Sequence, residues 1–243
     1  MGYLNYIDDK ILFAIIRNAL TKTIERQTNI KKDFHKNVID PFGATFSASL
    51  FEGFYSHDEW IVAEEYRQIE KTLTNQIGVM HQEILGNVIG WKSLDKKKGH
   101  QVDLVCEDRK IIAEVKNKYS TVSGGKLKDG YDTLNKLVTP KTSVYSGFTS
   151  YWVNIIPKTP TKYDHIWTPS NSETGAKCPE HERIRTIDGR SFYELVTGES
   201  DALEDLFKFL PKIIMKILNE EYNRPKIDNI DWRFEYFDRA YNN

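Results

Sequence analysis

Three side chains in the middle of this 243-residue chain have the types and spacing for one reaction. Asp103 is separated by ten residues from Glu114-Val115-Lys116. Two carboxylates offer hard oxygen ligands to Mg²⁺, a cation that keeps several of its own waters. Such a metal lowers the pKa of a bound water and offsets charge building on a phosphate. An adjacent ammonium, Lys116, positions the attacking water and stabilises the negative transition state. It also reduces repulsion between the two carboxylates before a metal arrives. The chemistry this suits is metal-assisted phosphodiester hydrolysis. The bare pattern acid-x-Lys begins at Asp8, Asp95, Asp108 and Glu114. Only Glu114 lies inside an apolar β run with an Asp in a preceding strand.

The elements around these residues follow from periodicity. Residues 101–106 and 110–116 read as two strands, with Glu107-Asp108-Arg109 as the hairpin turn between them. Strand side chains alternate, so Glu114 and Lys116 share one face, and a hairpin brings Asp103 beside Glu114. Apolar spacing predicts helices over 8–27, 58–85 and 127–138, and again over 191–197 and 201–221, the last kinked or divided at Pro211. Residues 150–156 and 184–187 read as buried strands. Residues 36–56 read as a loop with short irregular elements, partly buried by Phe42, Phe46, Phe51 and Phe54. Residues 157–182 read as a long polar loop. The aromatic C-terminal segment, with Trp232, Phe234, Tyr236 and Phe237, is expected to pack. This order gives an α/β fold: a mixed central β-sheet flanked by helices, with additional N- and C-terminal helices.

Asp103, Ile111-Ile112 and Glu114-Val115-Lys116, behind a long helix, resemble the PD-(D/E)XK nuclease core. Val102 stands where a Pro usually precedes the first acid. Longer stretches resemble type II restriction endonucleases of the GGNCC-cutting family: residues 1–5, 36–42, 68–78, 81–86, 111–119, 156–158 and 187–195. The most specific run is Glu114-Val115-Lys116-Asn117-Lys118-Tyr119. The resemblance implies a restriction-endonuclease-like core in a single domain, 1–243. Within it, 1–57 is an N-terminal helical and loop region, 58–157 the catalytic core, 158–190 a DNA-reading loop region and 191–243 the C-terminal helices. It further implies Asp103 and Glu114 as metal ligands, Lys116 as the catalytic lysine, Mg²⁺ as cofactor, and a homodimer that cuts both strands of a palindromic double-stranded DNA site. The other readings of this core are a structure-specific repair or recombination nuclease and a non-catalytic DNA-binding protein.

Further residues are candidates by position. Glu83, near the end of the long helix, is a helical acid that can serve the metal site. His81 is structural or DNA-facing, since this chemistry needs no histidine. Asn117 and Lys118 extend the catalytic strand toward the scissile backbone. Lys96, Lys97 and Lys98 suit phosphate contacts, which position without specifying. Lys158, Lys162, Lys177, Arg183 and Arg185 are DNA-binding candidates in the basic segment 158–190, where Lys177, Arg183 and Arg185 have the types that read guanine, and Glu180 and Glu182 the type that reads cytosine, in a major groove. Cys178 and His181 lack the second ligand pair that zinc needs.

Composition fits this reading only once it is divided. The 34 Lys and Arg against 35 Asp and Glu give a net charge of −1, which excludes a polybasic chain. Residues 91–190 nevertheless hold 18 basic and 12 acidic side chains, while both flanks are acidic. Two cysteines are too few for a disulfide framework. The first residues carry no secretory signal and no stretch is long and apolar enough to span a membrane. The expectation is a cytoplasmic protein without a membrane partner or a small-molecule cofactor.

Overall fold

The structure is a computed structural model that describes residues 2–36, 38–51, 53, 56–94, 99–223 and 232–242. It is mixed α/β. Helices α1 (Asp9–Asp33), α2 (Pro41–Leu50) and α3 (His57–Gly86) come first. Strands β1 (Lys92–Ser93), β2 (Leu104–Cys106) and β3 (Ile111–Lys118) follow, then α4 (Gly124–Val138) and β4 (Thr149–Ile156). The chain ends with β5 (Asp164–Ile166), β6 (Ile184–Asp188), α5 (Gly189–Thr197), α6 (Ala202–Tyr222) and α7 (Trp232–Tyr241). Contacts divide it into two compact units, one of residues 1–16 with 80–243, the other of residues 17–79.

The first unit holds a six-stranded sheet in the order β1-β2-β3-β4-β6-β5. β1, β2 and β3 are antiparallel neighbours, β3, β4 and β6 run parallel, and β5 is antiparallel to β6. Parallel strands need a crossover, and α4 is the crossover between β3 and β4. The central strands are covered on both faces, so Ile111 to Val115 are all buried and β3 reads as one apolar run broken by Glu114. Under α4, Val105, Ile112, Trp152 and Ile184 pack with Tyr131, Leu134 and Val138. On the other face α5 lies directly on β4. A Cβ on Gly189 would stand 2.2 Å from the Ile155 carbonyl oxygen, so no larger residue permits that approach. Asp188 caps α5, its Oδ1 accepting from the backbone N–H groups of Arg190 and Ser191 at 2.9 and 3.1 Å.

The second unit contains α2, in a segment expected from its sequence to be a loop. Asp40 caps it, its Oδ1 accepting from the Phe42 N–H at 2.9 Å, and Pro41 at the first turn has a φ already suited to a helix. Phe42, Phe46 and Phe51 are largely exposed rather than buried, and Phe54 lies outside the described residues. Two other expectations are corrected in the first unit. The polar segment 157–182 contributes edge strand β5 and a bridge between Ser170 and Lys177. Helix α6 runs unbroken past Pro211, because Leu203, Leu206, Ile213 and Ile217 are buried on both sides of it. That burial outweighs the roughly 3 kcal/mol cost of an interior Pro. In α7, Phe237 and Tyr241 are buried, whereas Phe234 and Tyr236 are exposed.

His81 is structural. It is buried and shares a 2.7 Å hydrogen bond through Nδ1 with the Tyr193 hydroxyl. Burial lowers its pKa from 6.5 to about 4. The unfolded chain therefore takes up this proton near pH 6.5 and the folded chain only near 4, so stability falls as pH drops through that window. The contribution approaches roughly 3 kcal/mol by the bottom of the window. Urea unfolding at pH 7 and pH 4.5 is expected to show a smaller acid loss for His81→Gln than for the unsubstituted protein. Equal losses would remove His81 as a cause.

Candidate active site

The β2–β3 pairing decides which side chains meet. Leu104 pairs with Ala113, the last paired step of the ladder. Only 104–106 of the expected strand is regular; at Asp103 the pairing shifts by one residue, so that Asp103 and Leu104 both face Ala113, as in a bulge. The Asp103 N–H donates to the Ala113 carbonyl at 2.9 Å, and its own carbonyl accepts from Leu94 at 2.8 Å. Both acids are buried. Asp103 Oδ2 accepts from the Val115 N–H at 2.8 Å, which fixes the carboxylate against β3. Glu114 Oε1 accepts from Lys116 Nζ at 2.6 Å, two residues along the same face. The Lys116 side chain is 22% exposed, so this pair sits at a boundary between core and solvent, where its attraction is screened less than on an open surface.

Glu114 and Lys116 open onto a cleft of about 450 Å³. Its floor includes Trp152 of β4, and its wall is α4, through Lys126, Asp129, Gly130 and Thr133. Gln101 and Thr121 complete the polar lining. Gln101, Lys126, Asp129, Thr133 and Trp152 line the cleft beyond the site residues expected from sequence. Residues 126, 129, 130 and 133 recur at helical spacing, so the stripe was visible. Only the crossover of α4 onto the face of β3 shows what it faces.

Two buried carboxylates, Asp103 bonded to the Val115 N–H and Glu114 one residue before it, form an all-oxygen donor set. That fits a hard divalent cation which takes one or two protein carboxylates and keeps its waters. Among the described residues no group of three or more His, Cys, Asp or Glu forms a metal site. Glu83, half-exposed one turn before the end of α3, is therefore not brought into a group with Asp103 and Glu114. Cys178 and His181 belong to no such group either.

The expected DNA contacts separate into classes. Lys118 is exposed at the end of β3, beside half-buried Asn117, whose Oδ1 is enclosed. Lys158, Lys177 and Arg183 are exposed. Lys162 is held by Glu194 at 2.9 Å, and Arg185 by Asp164 at 2.7 Å. Those two cations must exchange a carboxylate partner before they reach a base or phosphate. Lys96, Lys97 and Lys98 lie outside the described residues.

Residues 4–219 match the family described as Eco47II restriction endonuclease. The chain is 49% identical to the type II restriction enzyme Eco47II of Escherichia coli, over 99% of this chain and 100% of that protein. It is 33% identical to the type II restriction enzyme Sau96I of Staphylococcus aureus, over 86% of this chain and 78% of that protein.

Asp103 has a structural duty that can be separated from chemistry. Asp103→Asn retains an oxygen for the Val115 N–H, whereas Asp103→Ala leaves that buried donor unmatched at a cost of about 1–3 kcal/mol. Thermal and urea unfolding are expected to show Asp103→Ala destabilised by that amount and Asp103→Asn much less. Equal stability of the two would contradict the anchoring role.

Proposed function

This chain belongs to the Eco47II restriction endonuclease family and is a type II restriction enzyme, and on that premise we propose that Asp103 and Glu114 hold Mg²⁺ while Lys116 directs the attacking water. The observation that carries this reading is the hydrogen bond that sets the Asp103 carboxylate on the Val115 N–H, next to Glu114, with the Lys116 ammonium 2.6 Å from the Glu114 carboxylate in an open cleft. Bound Mg²⁺ supplies Lewis acidity and a water of lowered pKa.

The chain's own residues do the rest. Lys116 presents an ammonium N–H to the incoming water and to the phosphate oxygen on which charge grows. Asp103 cannot rotate away, because the Val115 N–H holds one of its oxygens. Lys118, at the end of the strand, contacts the phosphodiester backbone. Water adds to phosphorus, the bond to the 3′ oxygen breaks, and a proton ends on that oxygen, leaving 5′-phosphate and 3′-hydroxyl ends. Glu83, outside the pair, takes a supporting role.

The reading extends to the substrate. The target is double-stranded DNA at GGNCC, supported by the family resemblance of the sequence stretches. The enzyme works as a homodimer in the cytoplasm, since a two-fold symmetric site calls for two equivalent active sites, one per strand. Guanine and cytosine edges are read from the region 158–190, where Lys158, Lys177 and Arg183 stand exposed.

Digestion of a sequenced plasmid with Mg²⁺, followed by end mapping, is expected to place every cut at GGNCC, with no cutting in EDTA. Glu114→Ala and Lys116→Ala are expected to lower the cleavage rate by roughly 100-fold to 1,000-fold or more while a gel shift on the same site persists. Cutting at an unsubstituted rate by either variant would overturn the site. Cuts at another sequence would overturn the target alone.

A further inference from the structure

We propose that Trp152 is a positioning residue for Lys116: its indole face holds the ammonium at the cleft, and Gly130 and Trp167 hold the indole. The inference rests on the role given to Lys116 and adds a second anchor to it.

In the parallel pairing of β3 with β4, Glu114 lies beside Trp152 and Lys116 beside Asn154. Glu114, Lys116 and Trp152 all reach the same cleft. Lys116 leans back along the strand, so its Nζ is 5.2 Å from the indole centroid as well as 2.6 Å from Glu114 Oε1. Trp has the most favourable ring face for a cation, and the attraction strengthens as water is excluded. Here Trp152 is 4% exposed.

The ring itself is clamped. It stacks on Trp167, with centroids 4.6 Å apart and planes 18° from parallel. Helix α4 closes over it at Gly130. A Cβ at that position would stand 2.4 Å from Trp152 Cζ3 and 2.9 Å from Cη2, so only glycine admits the helix this close. An indole fixed by stacking and by a glycine contact is a rigid platform beneath a long, rotatable lysine stem.

The platform answers a problem the ion pair leaves open. The carboxylate that holds Lys116 belongs to a residue proposed as a metal ligand. Once Glu114 turns to that duty, its hold on the ammonium weakens and the indole face remains. Nothing about the ring titrates or moves, so the lysine stays placed through turnover.

The test uses the full-length enzyme on its cognate duplex, with Trp152→Leu, Trp152→Phe, Gly130→Ala, the double variant Gly130→Ala with Trp152→Phe, and Lys116→Ala as control. Trp152→Leu is expected to lower kcat about tenfold with KM for DNA within about twofold, and Trp152→Phe to recover most of that rate. Gly130→Ala is expected to lose activity by pushing the ring, and the smaller ring of the double variant to restore it. A second readout needs no metal. Acylation of Lys116 in the metal-free protein, followed by mass spectrometry, is expected to rise several-fold in Trp152→Leu and Gly130→Ala relative to Trp152→Phe. Equal loss in Trp152→Leu and Trp152→Phe, in step with their melting temperatures and with unchanged Lys116 labelling, would reduce Trp152 to core packing and overturn the proposal. If Lys116→Ala is inactive and Trp152→Leu is unimpaired, this inference alone falls. If Lys116→Ala keeps the full rate, the role of Lys116 falls, and this inference with it.

Discussion

The register between β2 and β3 is the constraint on which the site depends. Strand side chains alternate with a period of two, so a slip of one residue exchanges the faces of the whole strand. In β3 that slip would turn Ala113 and Val115 toward the cleft and drive Glu114 and Lys116 into the opposite apolar layer. Several features forbid it. Lys110 turns the hairpin with φ of 52°, a conformation few residues adopt. Val105 and Ile112 are buried together under α4. The bond from the Val115 N–H to Asp103 Oδ2 then locks the pairing from the site itself. One carboxylate thus serves the fold and the chemistry together.

Around that register the molecule balances burial against charge. Removing an ionised acid from water is costly unless it is paired and hydrogen-bonded. The cost is offset in part locally: one Asp103 oxygen by a backbone donor, one Glu114 oxygen by Lys116. Helix α4 makes the arrangement possible by carrying two stripes. Tyr131, Leu134 and Val138 bind it to the sheet, and Lys126, Asp129 and Thr133 line the cleft. Gly130, between the stripes, brings the helix down onto Trp152. The overall charge of −1 conceals this: the excess of basic residues lies in the hundred residues that build the sheet, the cleft and the segment after it.

Much of this was legible in the sequence, for physical reasons that also mark where legibility ends. The hairpin, the helices and the buried strands follow from strong local periodicity, and Asp103, Glu114 and Lys116 follow from residue type at hairpin spacing. Helix α2 did not, because three exposed Phe in a short segment resemble buried loop aromatics, and the cap at Asp40 was the signal that outweighed them. Pro211 signals a kink or division on local preference alone, which ignores burial on either side of it. The apolar run around Trp152 marks it as a core strand residue, which it is; its contact with Lys116 depends on that side chain folding back across a parallel neighbour 36 positions later in the chain. The pairing of Arg185 with Asp164 and of Lys162 with Glu194 likewise appears only when β5, β6 and α5 are laid side by side.

The central claim is that Asp103 and Glu114 share one divalent ion. It is tested most directly by soaking crystals of the enzyme bound to its DNA site with Mn²⁺ and recording anomalous diffraction. The account predicts a manganese peak within coordinating distance of a carboxylate oxygen from both residues and of the scissile phosphate. A peak that touches neither, or that sits on Glu83 with Glu114 unengaged, would contradict it.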